Sequence, residues 1–207
     1  MISPLDFQLT SHPLRCTLAP MKRESLAVLA LVFSALQSLA QTPPNLLQDS
    51  SFEEGLNEPF STNWSIWGGT SCEAQTPRTR TFVAKLFGRS SGALNQSGVF
   101  QDVPAAEGKR YVASAYFRQN VGDTLQGSNE AWVKLEFWGP EKMISIIESP
   151  TRLRAKGPAN KYVFLSTGPA KAPPGTTRAR FVAIFAQGAD NAKGAVLVDD
   201  ASLMEIP

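Results

Sequence analysis

Two adjacent carboxylates stand inside an apolar stretch at the end of the chain, in the sequence GAVLVDDASLMEIP. Ala195 to Val198 have the composition of a strand, and Asp199 and Asp200 follow directly. A strand that buries one face tolerates acidic side chains there only when something partners them, because an unpaired buried charge is costly. The sequence therefore predicts that this acid pair has a partner in the folded protein.

A second group of residues mixes aromatic rings with charged side chains. In AWVKLEFW, strand alternation places on one face Ala131, Val133, Leu135 and Phe137, and on the other Trp132, Lys134, Glu136 and Trp138. The first set has the character of a core. In YVASAYFRQN the same alternation places Tyr116 and Arg118 together on the face away from Tyr111 and Phe117. Flat aromatic surfaces beside charged or amide groups are typical of a ligand-binding face.

These residues predict a ligand-binding face if the two strands share a sheet. Its members are Trp132, Lys134, Glu136, Trp138, Tyr116 and Arg118, with Trp67 and the polar loop 122–130 at the rim. The alternative is ordinary packing. In that case the tryptophans are covered by a loop, and Lys134 and Glu136 form a solvated pair that contributes little. Trp64 is predicted to lie in the core.

The distribution of histidine and cysteine restricts the possible chemistry. His12, the single histidine, and Cys16 lie near the N-terminus, so residues 41–207 contain no histidine and one cysteine, Cys72. This excludes Ser-His-Asp and Cys-His catalysis, histidine-ligated zinc and an internal disulfide from that part of the chain. A carboxylate-pair or lysine-based mechanism stays open.

The N-terminal forty residues have the features of a leader rather than of a fold. MKRESLAVLALVFSALQSLAQ begins at Met21 with a basic pair, continues in an apolar run and ends at the small-residue site Ser38-Leu39-Ala40. This pattern predicts a signal peptide, residues 21–40, cleaved after Ala40, and its apolar run is shorter than the ~20 residues of a membrane span. Residues 1–20 are interpreted as an upstream extension from a misassigned start. The protein is therefore predicted to be secreted, extracellular or periplasmic.

Residues 41–207 are predicted to form a single all-β domain. Short runs rich in Val, Phe, Tyr, Trp and Ile alternate with turn-rich pieces, and no helical periodicity is sustained. The predicted strands lie in WSIWG, RTFVAKLFG, SGVFQDV, RYVASAYFRQN, EAWVKLEFW, MISIIE, NKYVFLSTG, TRARFVAIFAQ and GAVLVDDASLMEI. About nine to eleven short strands with this spacing indicate an antiparallel β-sandwich. The formal net charge of +2 without a basic run argues against nucleic acid or an anionic membrane as partner.

The two ends of this domain resemble a known family. NLLQDSSFEEG (45–55), followed by Trp64, resembles the opening of carbohydrate-binding modules of the CenC type, the family 4, 9 and 22-like modules of the galactose-binding-like jelly-roll class. VDDASL (198–203) is similar to their closing strand, and VFQDVPAAEGKRYVASAYFR resembles their middle. Asp49 and Ser50 stand where the family often has Asn-Gly. The resemblance implies a jelly roll whose first and last segments lie side by side.

The resemblance also implies a partner for the acid pair. Modules of this class commonly hold a structural calcium ion near those two ends. Glu53 and Asp199 match its typical ligands, which backbone carbonyls complete, and Asp200 is the substitute if the register shifts by one residue. Calcium takes six to eight oxygen ligands, so clustered carboxylates suit it. The alternative is that these acids are exposed at a strand end or cap a turn.

Three functions are compatible with these features. The first is an exported, non-catalytic carbohydrate-binding module that recognises a poly- or oligosaccharide and is stabilised by calcium. The second is a structural or adhesive β-sandwich module that binds a surface protein and no sugar. The third is a carboxylate-based hydrolase or lyase. The resemblance favours the first of these.

Overall fold

The computed structural model describes residues 42–56 and 63–207, which form strands and turns without a helix. All the described strands belong to one compact unit, Pro43–Pro207. The predicted signal peptide and upstream extension lie outside the described residues. In the described part of the chain, no helix has the length and apolarity needed to cross a membrane.

Twelve strands follow one another along the chain. They are β1 (Ser65–Trp67), β2 (Gly69–Glu73), β3 (Val83–Phe87), β4 (Asn95–Pro104), β5 (Arg110–Gln119), β6 (Glu130–Trp138), β7 (Met143–Glu148), β8 (Leu153–Arg154), β9 (Val163–Ser166), β10 (Ala170–Lys171), β11 (Arg178–Gln187) and β12 (Ala195–Ile206). All nine predicted runs contain a strand. β2, β8 and β10 were not predicted, because GTSCE lacks bulky β-formers and the other two are only two residues long.

The strands form two antiparallel sheets that pack face to face, which confirms the predicted β-sandwich. The first sheet has the order β1-β4-β11-β6-β7, with β8 also paired to β6. The second has the order β10-β5-β12-β3-β2, with β9 also paired to β5. Neighbours in these sheets are mostly distant in sequence, as expected of a jelly roll rather than of consecutive hairpins.

The core lies between the sheets and follows the predicted alternation. Each long strand sends every second side chain inward, where large apolar residues pack at less than 2% exposure, among them Tyr111, Phe117, Leu135, Phe137, Phe181 and Phe185. Trp64 is 4% exposed and packs edge-on against Phe181. Burying each of these large side chains contributes roughly 1.5–3 kcal/mol. The core leaves the outer faces of the sheets free for polar residues.

The segment before β1 runs beside the last strand. Leu46 N–H donates to the Leu203 carbonyl at 2.8 Å, and Ala201 N–H donates to the Ser50 carbonyl at 2.8 Å. The Asn45 side chain bridges the same strand, since its amide donates to the Ala201 carbonyl and accepts the Leu203 N–H. The N- and C-terminal ends of the domain are therefore joined side by side, as the resemblance implied.

Candidate functional site

A shallow pocket lies on the outer face of the first sheet. It has a volume of about 290 Å³ and is lined by Trp67, Gln96, Phe100, Lys134, Glu136, Arg180, Val182 and Ile184. We call it the outer-face pocket. The register of β4, β11 and β6 produces it, because Phe100, Val182 and Lys134 stand in one row across three neighbouring strands. Val182 and Ile184 are buried beneath it and provide an apolar floor.

Gly98 determines how Trp67 enters the pocket. The two residues are cross-strand partners on β4 and β1, and a Cβ at position 98 would lie 2.2 Å from the indole Cη2 atom. With no side chain there, the ring lies down over β4 and reaches Phe100, with ring centroids 6.0 Å apart. Trp67 stays partly exposed. The pair forms an apolar wall on one side of the pocket.

Arg180 crosses the pocket and is fixed by neighbours on both sides. Its guanidinium forms two hydrogen bonds to the Asp102 carboxylate, at 2.6 and 2.9 Å. It stacks near the rings of Phe100, at 4.0 Å, and Trp138, at 4.8 Å. The hydrogen bonds to Asp102 raise the pKa of Arg180 above its ordinary value. The result is a rigid cationic donor beside aromatic surface.

Trp132 and Trp138 lie on the predicted outer face, but their rings are not open platforms. Trp132 is 4% exposed, since it packs with Ile184 and the guanidinium of Arg152 lies 4.0 Å above its ring. Arg152 is held there by ion pairs with Glu130 and Glu148. The Trp138 ring is flanked by Arg178 and Arg180, and its Nε1–H donates to Glu136 at 2.9 Å. The ring of Trp132 is therefore covered, as expected if the tryptophans serve in ordinary packing.

Tyr116 and Arg118 do not share a sheet with the tryptophans. They lie on β5 in the second sheet, so the condition on which the combined face depended is not met. Tyr116 packs beside Phe164, with centroids 5.1 Å apart, and Arg78 covers its ring at 3.6 Å. Arg118 lies 6.0 Å from the Tyr162 ring. Alternation identifies which side chains share a face of one strand, but not which sheet a strand joins.

The three residues expected to bind calcium all contact one segment, residues 78–82. The Glu53 carboxylate accepts the N–H groups of Thr81 and Phe82 at 3.0–3.2 Å. Asp199 is fully buried and accepts three N–H groups, from Arg78 at 2.7 Å, Thr79 at 3.1 Å and Asp200 at 2.8 Å. Asp200 accepts the Thr79 hydroxyl at 2.6 Å and pairs with the Arg78 guanidinium.

The side chains alone do not form a calcium cage. In residues 42–56 and 63–207, no three His, Cys, Asp or Glu side chains come together closely enough to hold a metal ion. The carboxylate oxygens instead face N–H and O–H donors, which satisfy their charge by hydrogen bonding. The partner of the acid pair is therefore the 78–79 segment.

The pocket contains several residues that the sequence patterns did not single out. They are Gln96, Phe100, Arg180, Val182 and Ile184, and Asp102, which holds Arg180 from outside the lining, was not singled out either. In RARFVAIFAQ, alternation puts Arg180 on the face of the strand that Phe181 does not occupy. In NQSGVFQDVP it separates Phe100 from Val99 in the same way. Strand alternation in β4 and β11, as in β6, therefore identifies these outward side chains. Grouping them also requires the strand order β1-β4-β11-β6.

The fold and pocket define a class: a jelly-roll β-sandwich with a pocket of aromatic and polar side chains on the outer face of one sheet. No family model matches the sequence. No curated protein matches it either.

Solved structures nevertheless share the fold of this chain across most of its length. A family 61 carbohydrate-binding module in complex with β-1,4-galactotriose has a TM-score of 0.53 at 13% identity, covering 79% of this chain and 99% of its own. The CBM22-1 xylan-binding domain of Xyn10C from Paenibacillus barcinonensis has a TM-score of 0.52 at 18% identity, covering 81% and 97%. A family 16 carbohydrate-binding module has a TM-score of 0.53 at 18% identity, covering 78% and 100%. The chain therefore has the jelly-roll fold of carbohydrate-binding modules.

Proposed function

We propose that this protein is a non-catalytic carbohydrate-binding module that binds a poly- or oligosaccharide in the outer-face pocket. The observation that carries this proposal is the combination of Trp67 and Phe100 with Lys134, Glu136 and Arg180 over an apolar floor. Sugars need an aromatic surface for the C–H face of the ring and fixed polar groups for the hydroxyls. The similarity to carbohydrate-binding modules of several families supports the same function.

Each residue of the pocket has a distinct part in this function. Trp67, lying over Gly98, offers a ring on which a pyranose stacks. The guanidinium of Arg180, fixed by Asp102, donates hydrogen bonds to hydroxyl oxygens. Glu136, the cross-strand neighbour of Arg180, accepts from hydroxyls beside it and also accepts the Trp138 Nε1–H. Because ion pairs and stacking already hold these groups in place, little conformational entropy is lost when a ligand binds.

Export agrees with this function. The predicted leader, residues 21–40, delivers the domain to a compartment where extracellular polysaccharides are found. A second function, that of an interaction module without sugar binding, is favoured by one observation: Arg152 covers the ring of Trp132, which removes a large part of the predicted aromatic surface.

The experiment that separates these functions is a binding screen of the purified 41–207 domain against insoluble polysaccharides and arrayed glycans. We expect a specific ligand, and Trp67→Ala to weaken its binding about tenfold or more, as loss of a stacking ring in a desolvated site does. Phe164→Ala is the matched control, because this aromatic residue is 54% exposed on the second sheet. Phe164→Ala leaves affinity unchanged. A folded domain without any glycan ligand would support the interaction module.

A further inference from the structure

The outer edge of β7 is an exposed apolar strand. Met143, Ile144 and Ile146 are 40%, 38% and 43% exposed, and they are three of the eight large hydrophobic side chains that are exposed among the described residues. β7 ends the first sheet, and no described strand pairs with its outer side. A pocket of about 500 Å³ extends this surface, between Ile144 and the loop that contains Pro174.

Such an edge is unusual for a domain that stays alone. Soluble proteins normally protect an edge strand with a proline, an inward-pointing charge or a covering loop, because its free N–H and C=O groups accept another strand. MISIIE has none of these in its interior, and Met143, Ile144 and Ile146 expose apolar side chains beside the open edge. The charges that flank it, Lys142 and Glu148, stand at its two ends.

The sequence of this edge is complementary to itself in antiparallel pairing. If Ser145 faces Ser145 of a second copy, Ile144 faces Ile146, Met143 faces Ile147, and Lys142 faces Glu148. Cross-strand apolar pairs and opposite charges each contribute roughly 0.2–1 kcal/mol. A shift by one residue separates Lys142 from Glu148 and places Ser145 against Ile146. The register about Ser145 therefore sets apolar residues against apolar residues. It also adds Lys142 of the second copy to Lys134 and Arg152, the two cations that Glu148 already contacts.

We propose that β7 is a self-association edge, at which two copies of this chain pair their β7 strands antiparallel about Ser145. The first sheets of the two copies then form one continuous sheet. The two-fold axis of an antiparallel pair is perpendicular to the sheet, so both outer faces point the same way. The dimer presents two outer-face pockets on one side.

Two pockets on one side would strengthen binding to a polysaccharide, a consequence that rests on the proposed function. A polysaccharide offers the same unit repeatedly, so two pockets on one face engage one chain or one surface together. The second contact is then intramolecular, and avidity exceeds the affinity of a single pocket. Weak binding by one shallow pocket becomes effective retention on a polymer.

The test measures mass and cross-linking, so it is independent of any sugar. We expect sedimentation or light scattering to show a monomer that converts to a dimer as protein concentration rises. Ile146→Lys abolishes the dimer, whereas Ile66→Lys, a change at a 37% exposed residue on the opposite edge strand β1, leaves it intact. Thermal unfolding of both variants confirms that they are folded.

A cysteine cross-link tests the register. In a Cys72→Ala background, Ser145→Cys brings two thiols face to face and forms a disulfide-linked dimer at least about tenfold faster than Ser65→Cys, the control on β1. A protein that is monomeric at all concentrations, or equal cross-linking rates at the two positions, overturns the proposal. A glycan that binds the monomeric Ile146→Lys variant as tightly as it binds the parent shows that the pocket functions. It also shows that pairing adds nothing to binding, which overturns the proposed gain in avidity.

Discussion

Asp199 and Asp200 are neighbours in sequence but have different environments. A β-bulge between Asp199 and Ser202 places both carboxylates on the 78–79 segment and returns Ala201 to the core. Asp200 adopts a positive φ of 46° at the bulge, which aspartate tolerates better than most residues. Asp199 is completely buried, and burial raises its pKa above the ordinary value. Its three N–H donors stabilise the carboxylate against this effect.

Replacing each acid by its amide separates these two environments. Asp199→Asn turns an amide NH₂ towards backbone N–H donors, and we expect it to lower the free energy of unfolding by about 2 kcal/mol. Asp200→Asn keeps the positive φ and loses a partly exposed ion pair with Arg78, so the expected loss is below about 1 kcal/mol. Urea denaturation of both variants measures the difference. Equal losses would show that the Asp199 hydrogen bonds are not what holds the 78–79 segment.

At the scale of strands, local sequence determines faces but not neighbours. The alternation of β5 and β6 correctly separates Tyr111 and Phe137, which are buried, from Tyr116 and Trp138, which point outward. It does not reveal that β5 pairs with β12 while β6 pairs with β11, because that choice depends on packing between distant segments. For this reason the fold class was predictable, whereas the grouping of Tyr116 with Trp132 was wrong.

Exposure of a ring likewise depends on a distant segment. Trp132 has the alternation of a surface residue, yet Arg152, which follows β7 and is held by Glu130, covers it. Among the described residues, its Nε1–H has no hydrogen-bond partner. Nothing in the spacing of AWVKLEFW indicates this cover. The connection from β7 to β8 therefore decides how much aromatic surface the first sheet presents.

Removing this cover has an optical consequence. Arg152→Ala exposes the Trp132 ring to water, so we expect a red shift of tryptophan emission and stronger quenching by acrylamide. Arg154→Ala is the matched control, because Arg154 pairs with the same Glu130 but its side chain is 64% exposed and does not stack on Trp132. It should leave emission unchanged. An unchanged spectrum for Arg152→Ala would mean that other groups bury the ring.

At the scale of the whole molecule, the two outer faces carry different groups of residues. The first sheet carries the outer-face pocket and the open edge β7. The second sheet carries the acid cluster, which ties the 78–82 segment to Glu53 and to β12. The proposed ligand contacts and the structural contacts of the acid cluster therefore lie on opposite sides of one core. Substitutions in the pocket should change binding with little effect on folding, and substitutions in the acid cluster the reverse.

At the acid cluster, hydrogen bonds within the protein join the two ends of the domain. Glu53 and Asp199 join the N-terminal segment and the last strand through protein donors, and Asn45 and Leu46 add further hydrogen bonds to β12. We expect the Tm of the 41–207 domain to be the same in EDTA and in calcium. A bound ion would instead raise Tm with its concentration, since a ligand that binds the folded state stabilises it by mass action. Glu53→Gln is the matched probe, because it removes the carboxylate charge but keeps an acceptor for the Thr81 and Phe82 N–H groups. The contrary result is a Tm of the parent that falls in EDTA and recovers when calcium is added, with no such response in Glu53→Gln. It would show that these carboxylates rearrange around the ion.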